Sequence, residues 1–261
     1  MKNVWTITMR ELKSYFISPI AYVVMMLFLV LTGHFFYSNL VDFQKRYRYY
    51  QTIAQMYKNP QILEQLNLNA IVIANLLFNI IFILLFLMPA IMMRSFAEEK
   101  KNCTEELLMT SPISINQIIG GKFLGSFLFS LVLLLPTVVY QVLIFTFADP
   151  ELGPVLTGYL AIVLFVCVAI SVGLFASSLS HNQIIGMTVT FVILLMMFVI
   201  GMLDAGEQTA LGKVVNYLSV TEHVQNLFKG LIDTKDIVYF LSLSWLFIFL
   251  TKQSVESVRW R

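Results

Sequence analysis

Charge is what this 261-residue chain has least of: Asp, Glu, Lys and Arg make up 12% of it, against 58% hydrophobic residues. A soluble domain is nearer a quarter charged, so most of the chain belongs in lipid. The net charge of +2 is too small and too scattered for a nucleic-acid footprint, which excludes nucleic acid as a partner. Cysteine is nearly missing. Cys103 lies in a polar stretch and Cys167 inside an apolar run, so the two do not make a disulfide framework. A phosphate-binding loop is absent, because Gly121-Lys122 is followed by Phe123 and Asn116 stands where such a loop needs Gly. Neither His-Glu-x-x-His, nor Cys-x-x-Cys, nor a nucleophile elbow occurs. The sequence therefore offers no catalytic residue, no metal site and no cofactor of its own.

What the chain does have is apolar runs. A membrane span needs about 20 apolar residues, and six stretches qualify: 20–41, 70–93, 123–147, 155–178, 183–203 and a shorter 236–252. No Asp, Glu, Lys or Arg falls inside the first five, which argues against an ion-coupled carrier. Asn75 and Asn79 share one face of the second stretch, and Gln141 follows Pro136 in the third. Such amides line a pathway or glue helices together, and helix packing is the simpler reading. Ala169, Gly173 and Ser177 in the fourth read as packing positions, and His34 as an interfacial histidine. Ahead of the first span, Trp5, Met9, Leu12 and Phe16 fall on one helical face and Lys2, Thr6, Arg10 and Lys13 on another. Residues 1–18 are therefore expected to form an amphipathic helix in the membrane interface, which Ser18-Pro19 turns into the bilayer. No small-residue cleavage site follows, so this start reads as an uncleaved anchor.

Six spans place both termini on one side. With the N-terminus inside, ten Lys and Arg fall on inner segments and seven on outer ones, a modest bias toward cytoplasmic termini. Two outer segments are large enough to have structure. Residues 42–69 interleave Tyr47, Tyr49, Tyr50 and Tyr57 with charges and suit a helix on the outer leaflet. Residues 204–235 mix charge with apolar positions and suit short outer-leaflet helices before the last span.

The inner loop 94–122 gathers Arg94, Glu98, Glu99, Lys100, Lys101 and Lys122 between two apolar runs. Thr104 can cap a short helix with Glu105 and Glu106 in its first turn, where carboxylates suit the positive end of the helix dipole. Leu107, Leu108 and Met109 give it an apolar face and Pro112 ends it. From composition alone, a helix that docks on a soluble partner and an ordinary solvated loop fit equally well. Asn102-Cys103-Thr104 matches a glycosylation sequon only formally, since it faces the cytoplasm in this topology.

The run Arg94-Ser95-Phe96-Ala97-Glu98-Glu99-Lys100-Lys101, then Thr104-x-Glu106-Leu107-Leu108-x-Thr110-x-Pro112 and Gly121-Lys122-Phe123, resembles the first cytoplasmic loop of ABC-2-type transporter permeases. It is most similar to the subfamily that includes the gliding-motility permease and the permeases of nitrous-oxide-reductase maturation. Arg10-Glu11-Leu12-Lys13-Ser14-Tyr15-Phe16-x-Ser18-Pro19 looks like that family's amphipathic leading helix. His223-x-x-Asn226-x-x-Lys229-Gly230-x-Ile232-Asp233, then Asp236-x-x-Tyr239-Phe240, looks like its last outer region. One departure is Cys103, where the family has Gly, so the turn into the following helix differs here.

The resemblance implies an all-α integral membrane protein: an interfacial helix at 1–18, then a six-span domain over 19–261 with a cytoplasmic coupling helix between spans two and three. Two such subunits, identical or related, would pair in a bacterial inner membrane over a cytoplasmic ABC ATPase dimer that binds ATP and Mg. Glu98, Glu99, Lys100, Thr104, Glu105 and Glu106 would meet the ATPase, with Leu107, Leu108 and Pro112 completing the coupling surface. The implied activity is export of an amphiphilic substrate or mechanical work, with hydrolysis in the partner. The alternative is a membrane scaffold whose outer segments hold a periplasmic accessory protein.

Overall fold

Ser18 and Pro19 turn the chain as their types dictate. Ser18 is extended (φ −76°, ψ 126°), and Pro19 opens the next helix in the turn where its missing N–H costs nothing. This corner separates α1 (Lys2–Ile17) from α2 (Pro19–Tyr57). The structure, a computed structural model, describes residues 2–58, 67–102, 113–148, 150–202 and 217–259, and every regular element among them is helical.

α2 departs from expectation. Its 39 residues make a rod of about 58 Å at 1.5 Å per residue, nearly twice the bilayer hydrocarbon thickness. No Gly or Pro occurs between Gly33 and Pro60, so nothing breaks the helix where the apolar run stops at Asp42. It ends where Lys58 turns left-handed (φ 49°) and its N–H is taken by the carbonyls of Ala54 and Gln55. Residues 42–57 thus continue the first span instead of forming a separate surface helix, and 59–66 lie outside the described residues.

A π-helical turn, Asn69–Ile73, leads into α3 (Ala74–Met92), and α4 (Ala97–Lys101) follows. The third apolar run is two helices, α5 (Ile115–Leu134) and α6 (Thr137–Phe147), parted at Pro136. Pro136 has no N–H to continue the ladder, and Thr137 Oγ1 donates to the Leu134 carbonyl at 2.7 Å. α5 starts eight residues before the expected span, because Ser114 and Gln117 form a reciprocal capping box. Lys122 is therefore inside a helix and not in a loop. α7 (Leu152–Leu179), α8 (Gln183–Val199), α9 (Val220–Phe228) and α10 (Thr234–Arg259) complete the order. Among the described residues five helices are long and apolar enough to cross a membrane, and α8, at 17 residues, is a shorter apolar helix.

α7 is the hub, with α3, α5, α8, α9 and α10 all packed on it. Small residues permit this. A Cβ on Gly173 would lie 2.4 Å from Met92 Cβ, and one on Gly158 2.3 Å from a Leu77 methyl, so both helices approach too closely for any side chain. α9 inserts Val224, Leu227 and Phe228 into this core, while Leu231 and Ile232 beyond it are exposed.

α1 lies along α5 through the Gly121 and Gly125 groove, where added Cβ atoms would fall 2.6 Å from Ile7 and 2.7 Å from Glu11. The protein-facing side of α1 is thus Ile7, Thr8, Glu11 and Tyr15, one step around from the face drawn from apolar spacing. Of that apolar face Trp5 is exposed, Met9 is half-buried, Leu12 is half-buried against the core, and Phe16 meets Phe129 edge-on at 5.7 Å.

Candidate coupling site

Lys122 is a lysine that is 2% exposed, and its burial is explained by its partners. Its ammonium has three protons to give. It donates to Glu11 Oε1 at 3.0 Å, to Glu99 Oε1 at 2.9 Å and to the Ser95 carbonyl at 2.6 Å. It also sits 5.0 Å over the Phe96 ring. Arg10 closes the other side, with Nη2 at 3.2 Å from Glu11 Oε1 and 3.1 Å from Glu99 Oε1. Two cations and two carboxylates therefore alternate in a ring that joins α1, α4 and α5. Beside it the Tyr15 hydroxyl meets Ser126 Oγ at 3.0 Å. Burial pushes the Tyr15 phenol up to about 12, so it stays neutral.

α4 is held on its far side as well. Ser177 Oγ, near the end of α7, accepts from the N–H groups of Phe96 and Ala97 at 2.9 and 3.0 Å. Lys100 donates to the Ser178 carbonyl at 2.5 Å. The base of the loop is thus fastened to α1, α5 and α7 together.

The sequence-expected coupling residues fall into two groups. Glu98, Glu99 and Lys100 lie on α4, where Glu99 and Lys100 turn inward to the bonds above and Glu98 lines a cavity. Thr104, Glu105, Glu106, Leu107, Leu108 and Pro112 lie outside the described residues. The polar span residues are scattered. Asn75 is exposed, donates to the Ile71 carbonyl at 2.7 Å and lines a cavity at the opposite end of α3. Asn79, four residues on, is half-buried and does not line that cavity. Gln141 is buried in α6.

A second polar cluster, at the start of α10, had only the resemblance to point to it. Asp236 is fully buried, with Oδ1 2.6 Å from His223 Nδ1 and Oδ2 accepting from Asn226 Nδ2 at 3.3 Å. His223 Nε2 faces the Tyr217 carbonyl at 3.0 Å, so that nitrogen carries hydrogen. Its ring stacks on Tyr239 at 4.1 Å, and the Tyr239 hydroxyl donates to the Leu218 carbonyl at 2.6 Å. Gly230, at φ +84°, makes the turn between α9 and α10 against Pro154.

Sequence reasoning placed Lys122 in the inner loop and in the family motif but gave it no role. The signal was its place against an apolar run with no Asp or Glu near it in sequence, which obliges a buried lysine to find carboxylates elsewhere in the chain.

The chain matches the family model described as ABC-2 family transporter protein over residues 43–251, while no curated protein matches it. With that match over most of its length and helices able to span a bilayer, the chain belongs to the ABC-2 transporter family, as a multi-pass membrane permease subunit of an ABC transporter.

Proposed function

We propose that the ring around Lys122 is the transmission between a cytoplasmic ABC ATPase and the membrane helices. Family membership implies such an ATPase and typically a second permease. The observation that carries the reading is the fastening of α4: Glu99 to Lys122 and Arg10, Phe96 and Ala97 to Ser177, and Lys100 to Ser178. A force applied to residues 103–112 reaches α1, α5 and α7 at once, because ionic and hydrogen-bonded contacts join rigid elements that must then move as a body. Glu99 and Lys100 act inside the permease in this reading, and Glu106, Leu107 and Leu108 meet the ATPase.

We place α8 as the fifth of six spans, completing the set, with both termini in the cytoplasm of a bacterial cell, and we place the chain in the gliding-motility and nitrous-oxide-reductase-maturation subfamily. ATP and Mg belong to the partner. The apolar spans favour an amphiphilic cargo or mechanical work. The test is co-purification of the tagged chain in mild detergent with assay of ATP hydrolysis. Recovery of an ATPase, lost in a Glu106→Ala, Leu107→Ala double variant, is expected. An ATPase that stays bound to that variant overturns the reading.

A further inference from the structure

A cavity of about 380 Å³ opens beside the Lys122 ring, in the corner between α1, the start of α2 and the end of α3. That is within the size range of small-molecule sites. One wall is apolar, formed by Ile20, Ala21, Val24, Ile91 and Phe129. The other is charged. Arg10, Arg94 and Lys122 line it together with Glu11, Glu98 and Glu99, so the cavity is neutral as a whole.

Four of those charges are used up in the ring, and two are not. Arg94 gives Nη1 to Ser18 Oγ at 2.7 Å, forms no ion pair with a described carboxylate, and keeps a buried Nε–H that no acceptor meets. Glu98 forms no ion pair with a described cation. A planar guanidinium with free donors suits a phosphate, and a carboxylate suits an ammonium. The place selects the source. Ser18-Pro19 is where an interfacial helix bends into the bilayer, and next to it α2 turns Val23, Met26 and Val30 outward as an apolar stripe on which acyl chains can lie.

We propose that this cavity binds a zwitterionic phospholipid carrying a primary ammonium, the phosphate on Arg94 and the ammonium on Glu98. An anionic lipid would satisfy Arg94 but leave Glu98 facing a negative headgroup. The assignment requires only that the chain spans a membrane, and it stands or falls separately from ATPase coupling.

The experiment is native mass spectrometry of the full chain, released from detergent in the presence of equimolar phosphatidylethanolamine and phosphatidylglycerol. The parent chain is expected to retain phosphatidylethanolamine about two- to fivefold over phosphatidylglycerol, the ratio that one partly exposed ion pair supplies. Arg94→Gln is expected to lose both lipids. Glu98→Gln is expected to keep lipid and lose the preference. Because Glu98 is half-buried and forms no ion pair with a described residue, that variant is expected to fold whether or not Arg94→Gln does, and an unchanged preference in Glu98→Gln overturns the proposal. So does equal retention of the two lipids by the parent. Soluble phosphoethanolamine is the remaining probe: if it binds as tightly as the whole lipid, the lipid assignment is overturned.

Discussion

The two polar clusters of this permease solve the same problem in opposite ways. Around Lys122, long side chains from α1, α4 and α5 meet across 111 and 23 residues of sequence. Around Asp236, short and aromatic side chains of α9 and α10 meet one another and the backbone of Tyr217 and Leu218 just before α9, all within residues 217–239. The first couples elements that are far apart in the chain, and the second closes a local turn. Coupling through the first is therefore a property of the whole fold, whereas the second can form or open with little consequence for α1 or α4.

Variants sharpen that contrast. Lys122→Met leaves Glu11 and Glu99 part-buried around an apolar side chain, and the expected loss is about 3–5 kcal/mol, the cost of removing one member of a buried ionic set. Thermal unfolding in detergent reads it, and a melting point equal to the parent's would show that the ring is not a buried ionic unit. Asp236→Asn removes the carboxylate that His223 and Asn226 share, with an expected loss of about 1–3 kcal/mol. Hydrogen exchange should rise in residues 217–230 and stay unchanged in α1, and exchange spreading to α1 would erase the distinction between the clusters. Gly121→Val drives a side chain into Ile7 and is expected to cost about 1–3 kcal/mol. Limited proteolysis should then release α1 first. Lys45→Ala breaks only the exposed pair with Asp42 on the far part of α2, and its effect should stay within about 0.5 kcal/mol. A larger loss would mean that the outer end of α2 is built into the core.

Much of the architecture was readable because a bilayer imposes length and apolarity on any helix that crosses it. The limits of α3 and α7 and the corner at Ser18-Pro19 follow from run length and from proline chemistry. Other features were hidden for equally physical reasons. Hydropathy marks where lipid ends, but a helix ends only at a breaker, and none lies between His34 and Asn59, so α2 runs on. Apolar spacing finds the greasiest face of α1, yet the face against the protein is chosen by Gly121 and Gly125 on another helix. Lys122 reads as the edge of a loop until Glu11 and Glu99 are brought to it. The acidic residues of the loop were legible as a group, but which of them turn inward depends on neighbours that spacing cannot name.

α2 has a mechanical consequence. A continuous rod about 58 Å long that starts at the Ser18 corner, next to the ring that fastens α1 and α4, would magnify any tilt made there. A tilt of about 5° at that corner would carry Tyr57 sideways by about 5 Å, roughly the pitch of one helical turn, so a small displacement near the Lys122 ring would arrive at the far end of α2 as a much larger one.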